Sequence, residues 1–535
     1  MNTSNTITTL NQENTANQIK SGLTLEGKEK RLRHFGFFSI GSLLYALFYT
    51  FCLYKNSSGI TYPFFIGGTL FYFFLSLKKL GISAKKDSLF YMVALMLLGI
   101  STFLTDDGNI HFMNKMGIFV LTFSMMIHNF FRDDDWNLSK YLSAIAQTVF
   151  GSFSVLNRPF SDFNLYLKEK RKSNTQDDED NSKGKYILYG LLISVPVLIV
   201  IIFLLGSADM VFAALIEKMF ESISLPQNLI SICFSIIFAF LASYCVITYL
   251  VNHSIKEQVD DKRVGEPILA ITISSLLSII YVIFSGIQIL YLFMGNMQLP
   301  QQYTYAEYAR QGFFQLLFVC ILNLAFVLIG LNYFKENRIL KGILTVISLC
   351  TYVMIASSAM RMLMYIKYYY LTFLRIFVLW SLFVIFLLMT GVLISIYKNS
   401  FPLFRYCMIV VTVLYIALSF SRPDYFIAKC NTDYMLTGKK SSFFDTGTRY
   451  SDTDYLKNLS ADAAPVLLSP GKLESYSNLK EAGVEPYDYL GNTWDYLYVN
   501  KMVKKTENMT ARSFNVSRYY AGYLMEKYTP VSSSH

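Results

Sequence analysis

The residues with the strongest claim to chemistry lie between Pro300 and Arg375. One polar patch is Thr304-Tyr305-Ala306-Glu307-Tyr308-Ala309-Arg310-Gln311-Gly312-Phe313. The second begins at Ser358-Ala359-Met360-Arg361-Met362-Leu363-Met364-Tyr365 and continues through Tyr368, Leu371 and Thr372 to Arg375. Both sit among long apolar runs. Charge at membrane depth is costly, so such side chains face protein or water and are candidates for function. Glu307 and Arg310 are three apart and share a helix face. A carboxylate with guanidinium partners can act as a base beside electrostatic stabilisers, or it can simply hold an ion pair. Arg361, Tyr365, Tyr368, Thr372 and Arg375 are spaced 4, 3, 4 and 3, which forms one polar stripe on a continuous helix. Two readings stand: glue between helices, or part of a ligand or ion site.

These side chains need elements to hold them. Thr304 and Glu307 match a capping box, so a helix starting there can run into the next apolar span. A single helix from 339 to 397 would exceed the bilayer thickness, so a turn is expected near 366–371, dividing the stripe. Asp209, in Gly206-Ser207-Ala208-Asp209, is placed to cap a short surface helix running to about 223. Its alternative role is counter-charge to Arg361 or Arg375.

Those elements belong to a membrane. The chain has 535 residues, of which 53% are hydrophobic and only 16% charged. A soluble chain of this length would need more charge to cover its surface. Apolar runs predict an all-α, polytopic transmembrane helical bundle of about eleven spans. They cover 35–54, 60–77, 89–105, 112–131, 186–205, 229–251, 267–294, 313–333, 339–359, 374–397 and 404–420. Lys78, Lys79, Lys85 and Lys86, then Lys335, Arg338 and Lys341, then Lys398 and Arg405, fall on one side. That places the N-terminus in the cytoplasm and the C-terminus outside, in a cell membrane. The 360–373 connection breaks the pattern with Arg361 and Lys367 on the outer side.

Five segments follow from this reading. Residues 1–34 form a disordered basic cytoplasmic tail. Residues 35–131 hold the first membrane helices. The 132–185 linker joins an amphipathic stretch, Leu138–Leu156, able to lie flat on the bilayer, to a solvated charged run, Lys168–Lys185. Residues 186–420 form the main bundle. Residues 421–535 are polar and read as a small, mainly helical extracytoplasmic domain, with helices over 452–459, 473–481, 487–504 and 511–527. The seven cysteines make no CxxC pair and the five histidines no metal spacing, so neither a disulfide framework, a metal site nor a cofactor is expected. No basic face interleaved with aromatics argues for nucleic acid. Membrane lipids, and an envelope protein or lipid ligand at the outer face, are the expected partners.

Several motifs resemble a bacterial integral-membrane family, Domain of Unknown Function 4173, and its relative 4153. The resemblance rests on Ser207-Ala208-Asp209 with Phe212, on Gln288 followed by Tyr291-Leu292-Phe293, and on the two patches above. Beyond the last span it rests on Arg422-Pro423-Asp424 with Ile427-Ala428 and Asn431. It continues in Asp454-Tyr455-Leu456 and in Leu459-Ser460 with Asp462-Ala463 and Pro465. Arg422 stands where the family commonly has Asn, and Cys430 where an aromatic is common. The resemblance covers roughly 186–530 and implies a bacterial envelope protein without an established reaction. It adds Gln288 to the candidate polar site of Glu307, Tyr308, Arg310, Arg361, Tyr365, Thr372, Arg375 and Asp209.

Three functions remain open. The first is non-enzymatic sensing or scaffolding, favoured because no catalytic constellation is visible. The second is transport or lipid handling, drawn from charges at helix ends, although no inverted repeat supports it. The third is a membrane-embedded enzyme.

Overall fold

A computed structural model describes residues 29–56, 58–133, 136–173, 201, 205, 208–209, 211–212, 228–252, 255, 263–290, 312–398, 400–436, 451–469, 495–507 and 509–528. Its helices are α1 (Phe35–Leu53), α2 (Thr61–Leu80), α3 (Ser88–Leu104), α4 (Gly108–Phe130), α5 (Leu138–Ser154), α6 (Arg158–Ser173) and α7 (Leu229–Asn252). They continue as α8 (Pro267–Gln288), α9 (Phe313–Tyr333), α10 (Arg338–Tyr369), α11 (Phe373–Tyr397) and α12 (Leu403–Phe420). The last are α13 (Pro423–Leu436), α14 (Ser451–Asn458), α15 (Ala464–Leu467), α16 (Asp495–Glu507) and α17 (Val516–Tyr528), with a 3-10 turn at Ala461–Ala463. The described residues contain no β-strand, only an isolated bridge between Gly265 and Phe334. The all-helical class expected from the apolar periodicity is therefore found.

Eight helices among the described residues are long and apolar enough to cross a bilayer: α1, α4 and α7 to α12. About eleven were expected. The 60–77 run is helical as α2, but its Tyr, Gly, Thr and Ser content dilutes its apolar character. The 89–105 run is the 17-residue α3, shorter than a bilayer-crossing helix. The 186–205 run lies almost wholly outside the described residues. Large apolar side chains face outward from the spans, including Ile268, Leu276 and Ile280 on α8. Backbone groups satisfied within a helix and an apolar exterior are what hydrocarbon demands.

The chain divides into two compact units. The first contains residues 1–54, 75–81 and 148–253. Its centre is an ion pair between Arg31 and Asp162, with the Tyr244 hydroxyl donating to Asp162 at 2.8 Å. Both charged side chains are buried. The expected disordered tail is thus corrected at its end, because residues 29–33 are helical and Arg31 is anchored in protein. The charged run is corrected likewise: α6 continues through Ser173, so 168–173 is helix rather than open loop. Thr50 and Ser235 tie α1 to α7 at 3.2 Å. Asp209 also belongs to this unit, and its Oδ1 accepts the Val211 N–H at 2.8 Å, the geometry of a local cap.

The second unit contains residues 55–74, 82–147 and 254–535. Helices α8 to α11 bury Ala270, Val327, Leu344, Ile347, Met389 and Val392 in one cluster. Phe313, Cys320, Met354, Met362, Val378 and Leu382 form a second. Asn337 caps α10, accepting from Ile339 N at 2.8 Å, and Pro267 opens α8 where its missing N–H costs nothing. Helix α10 has 32 residues, about 48 Å at 1.5 Å per residue, well beyond a hydrocarbon core of about 30 Å. It therefore carries Arg361 and Tyr365 on its own last turns. The break falls at 370–372, where Tyr370 takes φ 65°, and Arg375 begins afresh on α11.

Chain direction sorts the ends of this unit. The end of α3, the start of α4, the end of α12 and the helices after it lie together. Ser101 meets Ser419 at 2.5 Å, and Leu371 N donates to Asn431 Oδ1 at 2.8 Å. At the opposite end Lys85 meets Asp133 at 3.0 Å and Arg405 meets Asp87 at 3.4 Å. Helices α13 to α17 share a core of Ile427, Leu456, Leu467, Tyr498, Met502 and Leu524, against which Leu371, Phe373 and Ile376 also pack. The helices expected over 452–459, 487–504 and 511–527 correspond to α14, α16 and α17; 473–481 lies outside the described residues.

Candidate functional site

The α3–α4 connection is Thr105-Asp106-Asp107-Gly108. Helix α4 needs a cap, and Asp107 supplies it: its Oδ1 accepts the Asn109 N–H at 2.8 Å. Asp106 then points into the C-terminal helices. Lys505 Nζ reaches Asp106 Oδ2 at 2.5 Å, and Arg518 Nε reaches Oδ1 at 2.5 Å. Asp462, presented by the 3-10 turn, accepts from the Thr105 hydroxyl and from Asp106 N at 3.3 Å. Asp424, in the first turn of α13, accepts the Ser460 N–H at 2.8 Å. The Tyr498 hydroxyl donates to Ser460 O at 2.8 Å and fixes that turn.

A polar cleft of about 530 Å³ opens among these groups. Asp106, Asp107, Asp424, Tyr455, Lys501 and Arg518 are among its walls. That volume suits a small molecule. Asp107 is 1% exposed, yet its Oδ2 has no hydrogen-bond partner. Buried polar atoms are normally satisfied, so this oxygen calls for explanation. Burial and then the nearby Asp424 charge push the Asp107 carboxyl up to about 7. Burial also raises Asp424 and Asp462. Burial alone would raise Asp106 too, but Lys505 and Arg518 outweigh it and hold this carboxyl below its ordinary range. One carboxylate is thus neutralised by two cations while its neighbour in sequence is left half-satisfied.

His111 lines the same cleft. Its Nε2 lies 2.8 Å from Thr105 O and 3.2 Å from Thr102 O, so this nitrogen donates and braces the connection. Below it, Asn114 Nδ2 donates to Thr102 Oγ1 at 3.0 Å. Asn114 Oδ1 accepts from Tyr415 at 2.6 Å and from Ser419 at 2.8 Å. The C-terminal chain is pinned from the other side: buried Asn515 donates to Thr105 O at 2.8 Å and to Ser58 O at 3.1 Å. Gly59 permits this approach, because a Cβ there would stand 2.3 Å from Arg512 O.

A second charged cluster at the opposite end makes a contrast. Asp133 binds Lys85 at 3.0 Å, His128 at 2.7 Å and the Tyr141 hydroxyl. Burial would raise it, but those bonds hold it down at about 2. Both of its oxygens are occupied, as in a structural clasp.

The residues singled out from the sequence distribute as follows. Gln288 Oε1 accepts from Ser357 at 2.6 Å and from Arg361 Nη2 at 3.2 Å, so Gln288 and Arg361 meet. A Cβ at Gly312, which has φ 101°, would stand 2.8 Å from Arg361 Nη1. Arg375 lies over the Tyr365 ring, 4.5 Å from its centroid, and donates to the Tyr369 and Tyr370 carbonyls at the end of α10. Thr372 starts α11 through its carbonyl, which accepts from Arg375 N and Ile376 N at 3.1 Å, without a side-chain cap. Glu307, Tyr308 and Arg310 lie outside the described residues. Among those described, no three His, Cys, Asp or Glu side chains are arranged to hold a metal. The cleft aspartates Asp106 and Asp107 and the cations Lys501, Lys505 and Arg518 were not singled out by spacing. Asp424 and Asp462 entered only through motif resemblance. An Asp-Asp pair ahead of an apolar helix was the available signal.

Comparison with known proteins gives one result. Residues 92–469 match a family described as "Domain of unknown function (DUF4153)". This is the relative of the family whose motifs the sequence resembles; the 4173 family itself is not matched. Neither a curated protein nor a solved structure matches the chain.

Proposed function

The chain belongs to the DUF4153 family, and on that premise we propose that it is a multi-pass protein of the bacterial cell membrane that binds a ligand without transforming it, serving to sense or scaffold at its extracytoplasmic end. The observation that carries this reading is the buried, unpartnered Asp107 Oδ2 in the cleft that α13, α14, α16 and α17 help to line. Binding is favoured over catalysis because His111 Nε2 is occupied with carbonyls and Asp106 with two cations. No poised nucleophile–base pair stands in the described cleft. Charge supports this orientation: Lys85 and Arg405 lie at the end opposite the cleft, and positive connections mark the cytoplasm. Lipid or an envelope protein would then meet the outer face.

A transport reading would draw on the polar side chains that continue below the cleft between α3, α4 and α12. There, however, Ser101, Asn114, Tyr415 and Ser419 satisfy one another, which suits interhelical rivets.

Native mass spectrometry of the purified full chain tests the binding reading. A discrete small molecule retained by wild type and lost in Asp107→Asn is expected. A wild type that stays empty after incubation with a membrane extract would overturn it. For orientation, a cysteine introduced at Ser533 should react with a membrane-impermeant thiol reagent in wall-stripped cells. Labelling only after lysis would reverse the assignment.

A further inference from the structure

We infer that the cleft is a primary-ammonium site, with Asp107 Oδ2 and the Asp424 carboxylate receiving the cation; this rests on the ligand-binding reading above. The carboxylates and cations of the cleft do not cancel locally. Asp106 takes both Lys505 and Arg518. Lys501 Nζ turns to the carbonyls of Asn458 at 2.7 Å and Leu459 at 3.1 Å. Asp462 is held by the Thr105 hydroxyl and the Asp106 N–H. Asp424 takes both the N–H and the hydroxyl of Ser460 and has Lys501 as a nearby cation, whereas Asp107 takes the Asn109 N–H on one oxygen and nothing on the other. The half-satisfied carboxyl is therefore Asp107; Asp424 faces the same cleft, close enough for its charge to raise the cost of ionising Asp107.

An anion would meet those carboxyls with Lys505 and Arg518 already engaged by Asp106 and Lys501 by backbone carbonyls. A metal wants several converging donors, and no such group of three is present among the described residues. An alkylammonium needs only hydrogen-bond acceptors for its three N–H groups, and it is a compact charge on an apolar stem. Tyr455 in the same wall accepts the Phe373 N–H at 2.9 Å on its phenol oxygen, which keeps one lone pair for a further donor. The ammonium can come from a dissolved amine or from an amine-headgroup lipid.

Binding should be coupled to proton release. With the Asp107 carboxyl pushed up to about 7, an incoming cation must expel its proton when the medium is acidic. Asp424 and Asp462 face Asp107 as negative groups and Lys501, Lys505 and Arg518 as positive ones. Burial holds the Tyr455 and Tyr498 phenols neutral. The Tyr415 phenol and the His111 imidazole complete the surround from α12 and α4.

The test is calorimetric titration of the full chain, in phosphatidylcholine nanodiscs, with ethylamine. Sodium chloride at equal ionic strength is the control. Saturable binding is expected, about tenfold weaker at about pH 6 than at about pH 8, since each unit below the carboxyl's pKa removes most of the ionised form. Asp107→Asn should abolish it and Asp424→Asn should weaken it. Competition by phosphatidylethanolamine in the disc would make the lipid the source; its absence would make it a dissolved amine. A wild type that does not bind ethylamine at either pH, binding unchanged in Asp107→Asn, or magnesium binding in its place with the same pH dependence overturns the inference. Should Asp107→Asn fail to fold, the wild-type pH dependence and Asp424→Asn decide. If ethylamine fails while a co-purified molecule is still lost in Asp107→Asn, only the ammonium assignment falls. If neither binds, the ligand reading falls with it.

Discussion

Lys505 Nζ lies 2.5 Å from Asp106 Oδ2, joining two positions 399 residues apart. Arg518 closes on the other oxygen of the same carboxylate. Helices α16 and α17 are thereby bonded to the short connection between α3 and α4, and all three side chains line the cleft.

Asp106→Asn should destabilise the protein by about 3 kcal/mol, because removing the buried carboxylate leaves two cations facing each other without it. Lys505→Met should cost less, since Arg518 remains. Thermal denaturation of the detergent-solubilised chain measures both. Equal effects would show that the two cations do not share one partner.

Asp107 predicts a pH dependence of the opposite kind. Its folded carboxyl sits at about 7, above the value of about 3.9 expected when unfolded. The folded state therefore binds the extra proton between those values. The stability this group contributes is fully present below about pH 4 and is lost as pH rises through about 7. Asp107→Asn keeps an oxygen to cap α4 and should gain on wild type as pH rises through that window. Infrared difference spectra should show a protonated carboxyl that titrates near 7 in wild type and vanishes in the variant. A band that titrates near 4 would contradict this.

Asn515 and Gly59 together hold the C-terminal segment. Asn515→Leu leaves two buried carbonyls short of a donor and should cost about 1–3 kcal/mol. Gly59→Ala places a methyl against the Arg512 backbone and should cost a similar amount, about 1–3 kcal/mol. In both variants amide hydrogen exchange should accelerate over 509–515 before it changes in α10 or α11. Uniform acceleration would mean that the segment does not open separately.

Gln288 serves Ser357 and Arg361 at once. A double-mutant cycle of Gln288→Leu and Arg361→Met should give a coupling of about 1 kcal/mol, since the two side chains share one hydrogen bond within the helix bundle. Additive losses would separate them.

The membrane character of this chain was legible in the sequence because its cause is local. A run of about 20 apolar residues buries itself in hydrocarbon wherever its neighbours are. The eight spans among the described residues correspond to eight of the expected runs for that reason. Marginal segments were harder. Helix α2 is long but diluted by polar residues, and α3 is apolar but short, so neither property alone assigns them. The division of the Arg361–Arg375 stripe was foreseeable from bilayer thickness, although the point of division, at Tyr370, depends on packing around the end of α10.

The cleft was decided by tertiary structure. Asp107 reads locally as a helix cap, Asp424 as an acidic residue in a first helical turn and Asp462 as part of a polar turn. Each reading is sufficient by itself. Their shared environment arises only when residues near 106, 424, 460 and 500 converge, and no periodicity spans such separations. Protonation state followed the same rule. Asp106 and Asp107 are adjacent and chemically identical, yet two cations lower one while burial and Asp424 raise the other. The sequence by itself determined where the chain meets the membrane, because solvent transfer depends on composition within one segment. The fold alone decided which carboxylate keeps an unpartnered oxygen, because that depends on groups brought from distant segments into a space sheltered from water.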